Sequence, residues 1–281
     1  MMITIKKTVP IGKLALSLFL LFWAVIQIYP LVWLALFSLK DNSEIFGGNI
    51  AGFPKTPKWE NYPDALKQGG VLVYFFNSLL VTGVTIVLTV LLSSTTAYAI
   101  SRMKWKLSGK VMAFLLLGMM IPVHAALLPL FIVLSRLKLL NTYLALILPY
   151  AAFALPLGVF ILTGFLSGIP REMEESAAID GAHIYRTFFS IIVPLIRSAI
   201  ATVAIFTYLA SWNELMFAVT FISRKEFSTL TVGIMSMVGS YVTRWGPIGA
   251  GLMIATIPTI IIYILLSKQV QKSMIAGAVK G

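Results

Sequence analysis

Ile169-Pro170-Arg171-Glu172-Met173-Glu174-Glu175-Ser176-Ala177-Ala178-Ile179-Asp180-Gly181-Ala182 is a hydrophilic island between two apolar stretches, and after nine intervening residues beyond Gly181 the pattern resumes as Ile191-Ile192-Val193-Pro194. Pro170 suits the first turn of a helix, where its missing N–H costs nothing, and Ser167 or Gly168 stands where a cap is needed. Glu172, Glu174 and Glu175 fall where the helix dipole favours negative charge. Gly181 suits the left-handed position that closes a helix. His183 to Ile192 then forms a second short helix, and Pro194 opens the next apolar span. The stretch therefore predicts a helix–turn–helix lying across a membrane surface. Its small residues Ser176, Ala177, Ala178 and Ala182 let another surface approach closely, while the acids offer it charge. A solvated amphipathic helix with no partner has the same composition.

The surrounding sequence places that island in a membrane protein. Of 281 residues, 59% are hydrophobic and only 11% charged, with a mean hydropathy of +0.93. A soluble domain with this balance would expose large apolar patches. The apolar runs are too long and continuous for barrel strands, so backbone satisfaction in lipid demands helices. The chain has no cysteine and two histidines, His124 and His183, which excludes a disulfide framework, a thiolate metal site and a histidine cluster. Its net charge of +12 is scattered over short loops beside spans, a pattern that fits anionic lipid headgroups and topology signals rather than nucleic acid.

Six segments are long enough to cross about 30 Å of hydrocarbon: Leu14–Leu39, Leu72–Ile100, Val111–Ser135, Thr142–Leu166, Ile191–Ile222 and Ile248–Ser267. The expected fold is an all-α membrane protein of six transmembrane helices with the island between spans four and five. The first segment follows Lys6, Lys7 and Lys13 as a signal peptide would. It is too long for a signal core and no small-residue cleavage site closes it, so it is expected to be retained. With the N-terminus inside, inner loops hold 13 Lys and Arg against 9 outside. The loop Ser101–Lys110, with four bases and no acid, is the strongest local indicator, and it puts the island and both termini on the cytoplasmic side. The chain divides into residues 1–70 (inner N-terminal segment, first span, outer loop), 71–267 (core, with the island loop 169–194) and a cytoplasmic tail 268–281. Two outer loops are long: Lys40–Gly70, expected to be extended and partly turn-like, and Ser223–Pro247.

Glu175-Ser176-Ala177, Gly181 and Ile191-x-Val193-Pro194 closely resemble the EAA loop of ABC importer permeases, E-A-A-x3-G-x9-I-x-L-P, with Ser176 for the first alanine and Val193 for leucine. Phe76-Asn77-Ser78-Leu79, Ala97-Tyr98-Ala99-Ile100-Ser101-Arg102, Met120-Ile121-Pro122, Pro129-Leu130-Phe131, Trp212-Asn213-Glu214 and Gly277-Ala278-Val279-Lys280-Gly281 are similar to carbohydrate-type permeases. The resemblance is to the second, six-span permease of maltose-type systems in a bacterial inner membrane. It implies a homologous sister permease, two ATP-binding subunits and an extracytoplasmic solute-binding protein, with ATP and Mg²⁺ on the ATPase and no cofactor or metal on this chain.

The same resemblance makes Glu174, Glu175, Ser176, Ala177, Asp180, Gly181, Ala182 and His183 the ATPase-coupling surface. Tyr241 and Trp245 fall in a loop similar to one that reaches toward the binding protein. Glu214 is the only acid inside an apolar span. A charge there costs about 2.5–3.5 kcal/mol on insertion scales, so it should face protein or a water-filled cavity. Asn77, Trp212, Asn213 and Glu214 are accordingly candidates for the translocation path, Trp212 offering a ring face to sugar. Equally, they could form a hydrogen-bond network that fixes helix packing. The small polar residues of the second span fit ordinary helix packing, the prolines within spans imply kinks, and His124 reads as a satisfied interior histidine.

An ion-coupled transporter would need intramembrane acids or broken helices in repeated halves; one acid and no visible repeat speak against it. No Gly-x-Ser-x-Gly, His-Glu-x-x-His, paired carboxylates or P-loop is present, so neither an intramembrane enzyme nor ATP hydrolysis on this chain is supported. Di- or oligosaccharide is the expected cargo, with glycerol phosphate the alternative that similar permeases allow.

Overall fold

The computed structural model describes residues 11–103, 105–239 and 243–278. Among these all regular structure is helical, as lipid requires of a chain that must satisfy its own backbone. In order the helices are α1 (Ile11–Phe37), α2 (Asn42–Phe46), α3 (Asn61–Lys67), α4 (Val71–Arg102), α5 (Ser108–Met119), α6 (Leu127–Arg136), α7 (Leu144–Leu166), α8 (Glu172–Ile179), α9 (Ile184–Thr187), α10 (Val193–Leu195), α11 (Arg197–Trp212), α12 (Met216–Phe221), α13 (Leu230–Ser236) and α14 (Trp245–Ala278). A 3₁₀ turn, Val123–Ala126, leads into α6, and a π-helical stretch, Phe188–Ile192, joins α9 to α10.

Four helices are long and apolar enough to cross a membrane, and the total reaches six only if each of two sharply bent pairs counts as one span. The third segment, expected over Val111–Ser135 with a proline kink, turns by 93° between Met119 and Val123. Pro122 sits in the break in extended geometry; it has no N–H to continue the ladder and disfavours helical Ile121. The fifth, expected over Ile191–Ile222, is bent by 77° between Leu195 and Arg197. Pro194 cannot donate to the preceding turn, and Ile196 leaves helical geometry at ψ 13°. This segment stops again after Trp212 before α12 begins.

The chain forms two compact units, Met1–Gly69 with Met237–Ile254 and Gly70–Ser236 with Ala255–Gly281. In the second, α4 packs on α7 and α11. One apolar cluster gathers Val81, Leu146, Tyr150, Phe217 and Phe221; another gathers Ala97, Val159, Leu162, Phe188 and Ile192. Lipid is as apolar as these side chains, so close packing rather than water exclusion holds such helices together. On α4, Thr82, Thr85, Thr89, Ser93 and Ser94 are buried, and Thr85 and Ser94 donate back to Val81 O and Val90 O at 2.7 and 2.6 Å. They serve packing, as expected.

The expected outer loop Ser223–Pro247 is not an open connector. It contains α13, whose Leu230 and Ile234 are buried, and Gly233 meets the Tyr74 ring so closely that a Cβ there would overlap it. The Lys40–Gly70 segment, expected to be extended, holds α2 and α3. Lys40, counted in the sequence as an outer-loop charge, is fully buried. Its Nζ donates to the carbonyls of Asn49, Ile50 and Gly52 at 2.7, 3.3 and 2.6 Å. His124 is exposed at the break before α6 rather than interior, with its ring edge-on to Phe217 at 6.2 Å.

Candidate functional site

The island folds as an elbow of two short helices. Neither Ser167 nor Gly168 caps it: Ser167 closes α7, and α8 begins at Glu172 with Arg171 in the cap position and no side-chain cap bond. Glu172, Glu174 and Glu175 occupy its first turn, where the helix dipole favours negative charge. At the other end Gly181 takes φ +77°. Ala182 N–H bonds Ala177 O at 2.9 Å and Gly181 N–H bonds Ala178 O at 3.0 Å, the paired bonds of a Schellman close that only a glycine-like residue adopts without strain. His183 is extended and precedes α9, one residue later than the expected helix start.

The two faces of the elbow differ. Ala177 is buried, and Glu174 turns inward with its side chain 17% exposed. Its Oε2 accepts from the Tyr98 hydroxyl at 2.9 Å, and its Oε1 lies 3.0 Å from Arg102 Nε in an ion pair. Glu175, Ser176, Asp180, Gly181 and His183 remain exposed. Among its large apolar side chains Ile179 and Tyr185 are the most exposed, at 86% and 77%. Between the arms lies an open groove of about 600 Å³ lined by Met173, Ser176, Asp180, Ala182, Arg186 and Ile191, among others. Of the eight expected coupling residues, then, Glu174 and Ala177 root the elbow while the others leave a surface open.

Sequence reading missed Arg102 and Tyr98 as members of this site. In the sequence Arg102 is a topology charge and, with Tyr98, part of a family-like stretch, with no role at the elbow. Beyond its ion pair, its Nη2 donates to Leu166 O, at the end of α7, at 2.6 Å and to Ile169 O, in the connector, at 2.7 Å. Tyr98 and Arg102 stand four apart on one helix, hence on one face, and that much was available in the sequence. Their common partner was not.

A second constellation surrounds Glu214. Its Oε2 accepts from Tyr150 OH at 2.7 Å and Ala218 N–H at 3.1 Å, and its Oε1 from Phe217 N–H at 2.8 Å. The carboxylate thus caps α12 where the fifth segment is interrupted, bonding donors that no helical turn precedes. Beside it lies a largely apolar cavity of about 170 Å³, lined in part by Tyr150, Phe153, Phe206, Ser211, Glu214 and Phe217. The other path candidates do not join it. Trp212 is buried, with Tyr208 stacked at 5.5 Å, Phe75 edge-on at 5.9 Å and its indole N–H on Ala255 O at 3.1 Å. Asn77 donates to Glu226 O and Ser228 O at 2.8 and 2.9 Å and accepts from Tyr143 OH at 2.8 Å. Both are committed to packing within this chain. Asn213 is exposed and donates to Leu209 O. Trp245, half-exposed, starts α14, its N–H on Asn42 Oδ1 at 2.9 Å. Tyr241 and the terminal Val279-Lys280-Gly281 lie outside the described residues.

The comparisons with known proteins agree with this architecture. Residues 89–276 match the model for binding-protein-dependent transport system inner membrane components. A putative ABC transporter permease of Caldicellulosiruptor is 36% identical over 264 residues, 94% of this chain and 96% of that one. The arabinooligosaccharides transport system permease AraQ of Bacillus subtilis is 31% identical over 96% of both chains. The crystal structure of a bacterial ABC transporter involved in import of the acidic polysaccharide alginate superposes with a TM-score of 0.81 at 18% identity, covering 95% of this chain and 99% of its own, which shows a shared fold. With its apolar helices and its EAA-like elbow, the chain belongs to the binding-protein-dependent transport system inner membrane component family, the multi-pass permeases of ABC transporters.

Proposed function

We propose that this chain is one permease of an ATP-driven importer of sugars, di- or oligosaccharides, in a bacterial inner membrane. The observation that carries the reading is the two-faced elbow: rooted inward through Glu174, while Ile179 and Tyr185 stand open beside a groove. A short helix that exposes a large apolar residue at its tip, beside acids, suits a protein surface better than solvent. The named substrate of AraQ supports an oligosaccharide cargo over glycerol phosphate. In this reading a sister permease completes the path, two ATP-binding subunits carry ATP and Mg²⁺, a solute-binding protein delivers sugar outside, and the two bent pairs count as the third and fifth of six spans. The elbow and both termini face the cytoplasm. Closure of the ATPase dimer moves the elbow, which requires contacts that differ between the two states.

Within this chain the path runs by Glu214, whose carboxylate is held by Tyr150 and two backbone N–H groups beside the 170 Å³ cavity. The other candidates are packing residues of this chain, so most sugar contacts fall to Glu214, Asn213 and the sister permease. Ile179→Ser tests the elbow: its exposed position predicts stability within about 0.5 kcal/mol of wild type, with loss of ATPase subunits on co-purification. Retention of the ATPase at wild-type stoichiometry, or ATP-independent uptake of oligosaccharide in proteoliposomes, would overturn the reading.

A further inference from the structure

Arg102 occupies a junction that the docking of the elbow by itself does not explain. It ends α4, its side chain is 7% exposed, and its guanidinium bonds three separate parts of the chain: the last turn of α7 through Leu166 O, the connector through Ile169 O, and α8 through Glu174. Tyr98, one turn earlier, holds the second oxygen of the same carboxylate and packs its ring 5.1 Å from that of Phe188 in the π-helical stretch. Glu174 is thereby gripped at both oxygens by one helix. A partly buried ion pair resists separation, because either charge left alone keeps its desolvation cost.

We infer that Glu174, Tyr98 and Arg102 form a strut that makes α8 move as one body with the inner ends of α4 and α7, so that displacement of the elbow becomes tilt of the spans. Arg102 and Tyr98 are positioning residues for transport that touch neither cargo nor nucleotide. The inference rests on the elbow being the ATPase-facing surface, and it adds where the force goes next. Glycine at the turn lets α8 end abruptly, but no other described ion pair joins α8 to a long helix. Without the strut, α8 would swing on its connector while the spans stayed behind.

The test is the ratio of sugar taken up to ATP hydrolysed by the assembled complex in proteoliposomes, together with ATPase co-purification. Arg102→Gln and Glu174→Gln should keep the ATPase bound while the ratio falls about fivefold or more, the low end of what coupling between sites carries. Tyr98→Phe, which removes one hydroxyl and preserves packing, should lower the ratio less, and it serves if the charge variants fail to accumulate. The chain has no cysteine, so Glu174→Cys with Arg102→Cys can be bridged by a short bifunctional thiol reagent, and bridging should raise the ratio again. A wild-type ratio in all three single variants, or no gain on bridging, overturns the strut. Absence of the ATPase from the wild-type complex overturns instead the docking on which it rests.

Discussion

Lys40 and Arg102 are both withdrawn from solvent, yet they keep opposite company. Lys40 is fully buried and its three partners are carbonyls 9, 10 and 12 residues along the same loop. Arg102 bonds carbonyls 64 and 67 residues away and an acid on a third element. The first cation closes a local cage, so it fixes the shape of one loop and transmits nothing. The second ties together elements that share no local sequence, so its loss is felt in how they move. A buried cation in a membrane protein is therefore read by the sequence distance to its partners rather than by its burial.

The sharpest way to break that contrast is Lys40→Met, which removes the donor that Asn49 O and Gly52 O share and leaves Ile50 O with the Trp33 indole N–H alone. Charge-assisted bonds contribute roughly 1.5–3 kcal/mol each, though not additively, so a loss of about 3 kcal/mol or more is expected. It should appear as lower thermal stability and poor accumulation, with an unchanged uptake-to-hydrolysis ratio in the protein that survives. A changed ratio at full stability would erase the distinction from Arg102.

Gly181→Val should cost about 1–2 kcal/mol, the penalty of the left-handed region for a side chain bearing Cβ. A Cβ there meets nothing within 4 Å, so conformation is the whole penalty and stability should fall modestly while uptake collapses. Gly181→Asn, which tolerates this region, should transport; equal failure of both variants would point to lost space instead. Glu214→Gln retains an oxygen acceptor for α12 and should cost about 1 kcal/mol, as loss of a good cap does. A shift in apparent sugar affinity at normal expression assigns Glu214 to the path, whereas lost expression with unchanged affinity assigns it to packing.

The smallest effect is expected at Asp41, in the same loop region as Lys40. Hydrogen bonds from the Ser43 hydroxyl and the Glu44 N–H, aided by Lys58, hold its carboxyl below its usual 3.8. A lowered pKa means that the folded state is favoured at neutral pH and loses this contribution as pH falls below about 4. Asp41→Asn should flatten the acid limb of thermal stability slightly and leave the Lys40 cage untouched; a large change would mean the two are one network.

Composition and periodicity were enough for the helical class, and the apolar stretches now seen as α1, α4, α7 and the membrane-crossing part of α14 were legible within a few residues. Their apolar runs stay helical through the prolines that α1, α7 and α14 contain. The elbow was legible too, because its acids and Gly181 each have a local conformational preference that needs no distant partner, whereas Pro170, expected in the first turn, lies two residues before α8. Pro122 was visible as a kink and Pro194 only as the start of a span, and the angles of 93° and 77° depend on what the two arms pack against. The buried α13 was invisible, since its placement depends on Tyr74 meeting Gly233. Most of all, nothing local to Lys40, Asn77, Trp212 or Arg102 tells whether a polar side chain faces solvent, cargo or another helix. Local preference is written in neighbouring residues; the partner of a buried charge is chosen by folding, which brings together groups such as Arg102 and Glu174 that the chain itself keeps far apart.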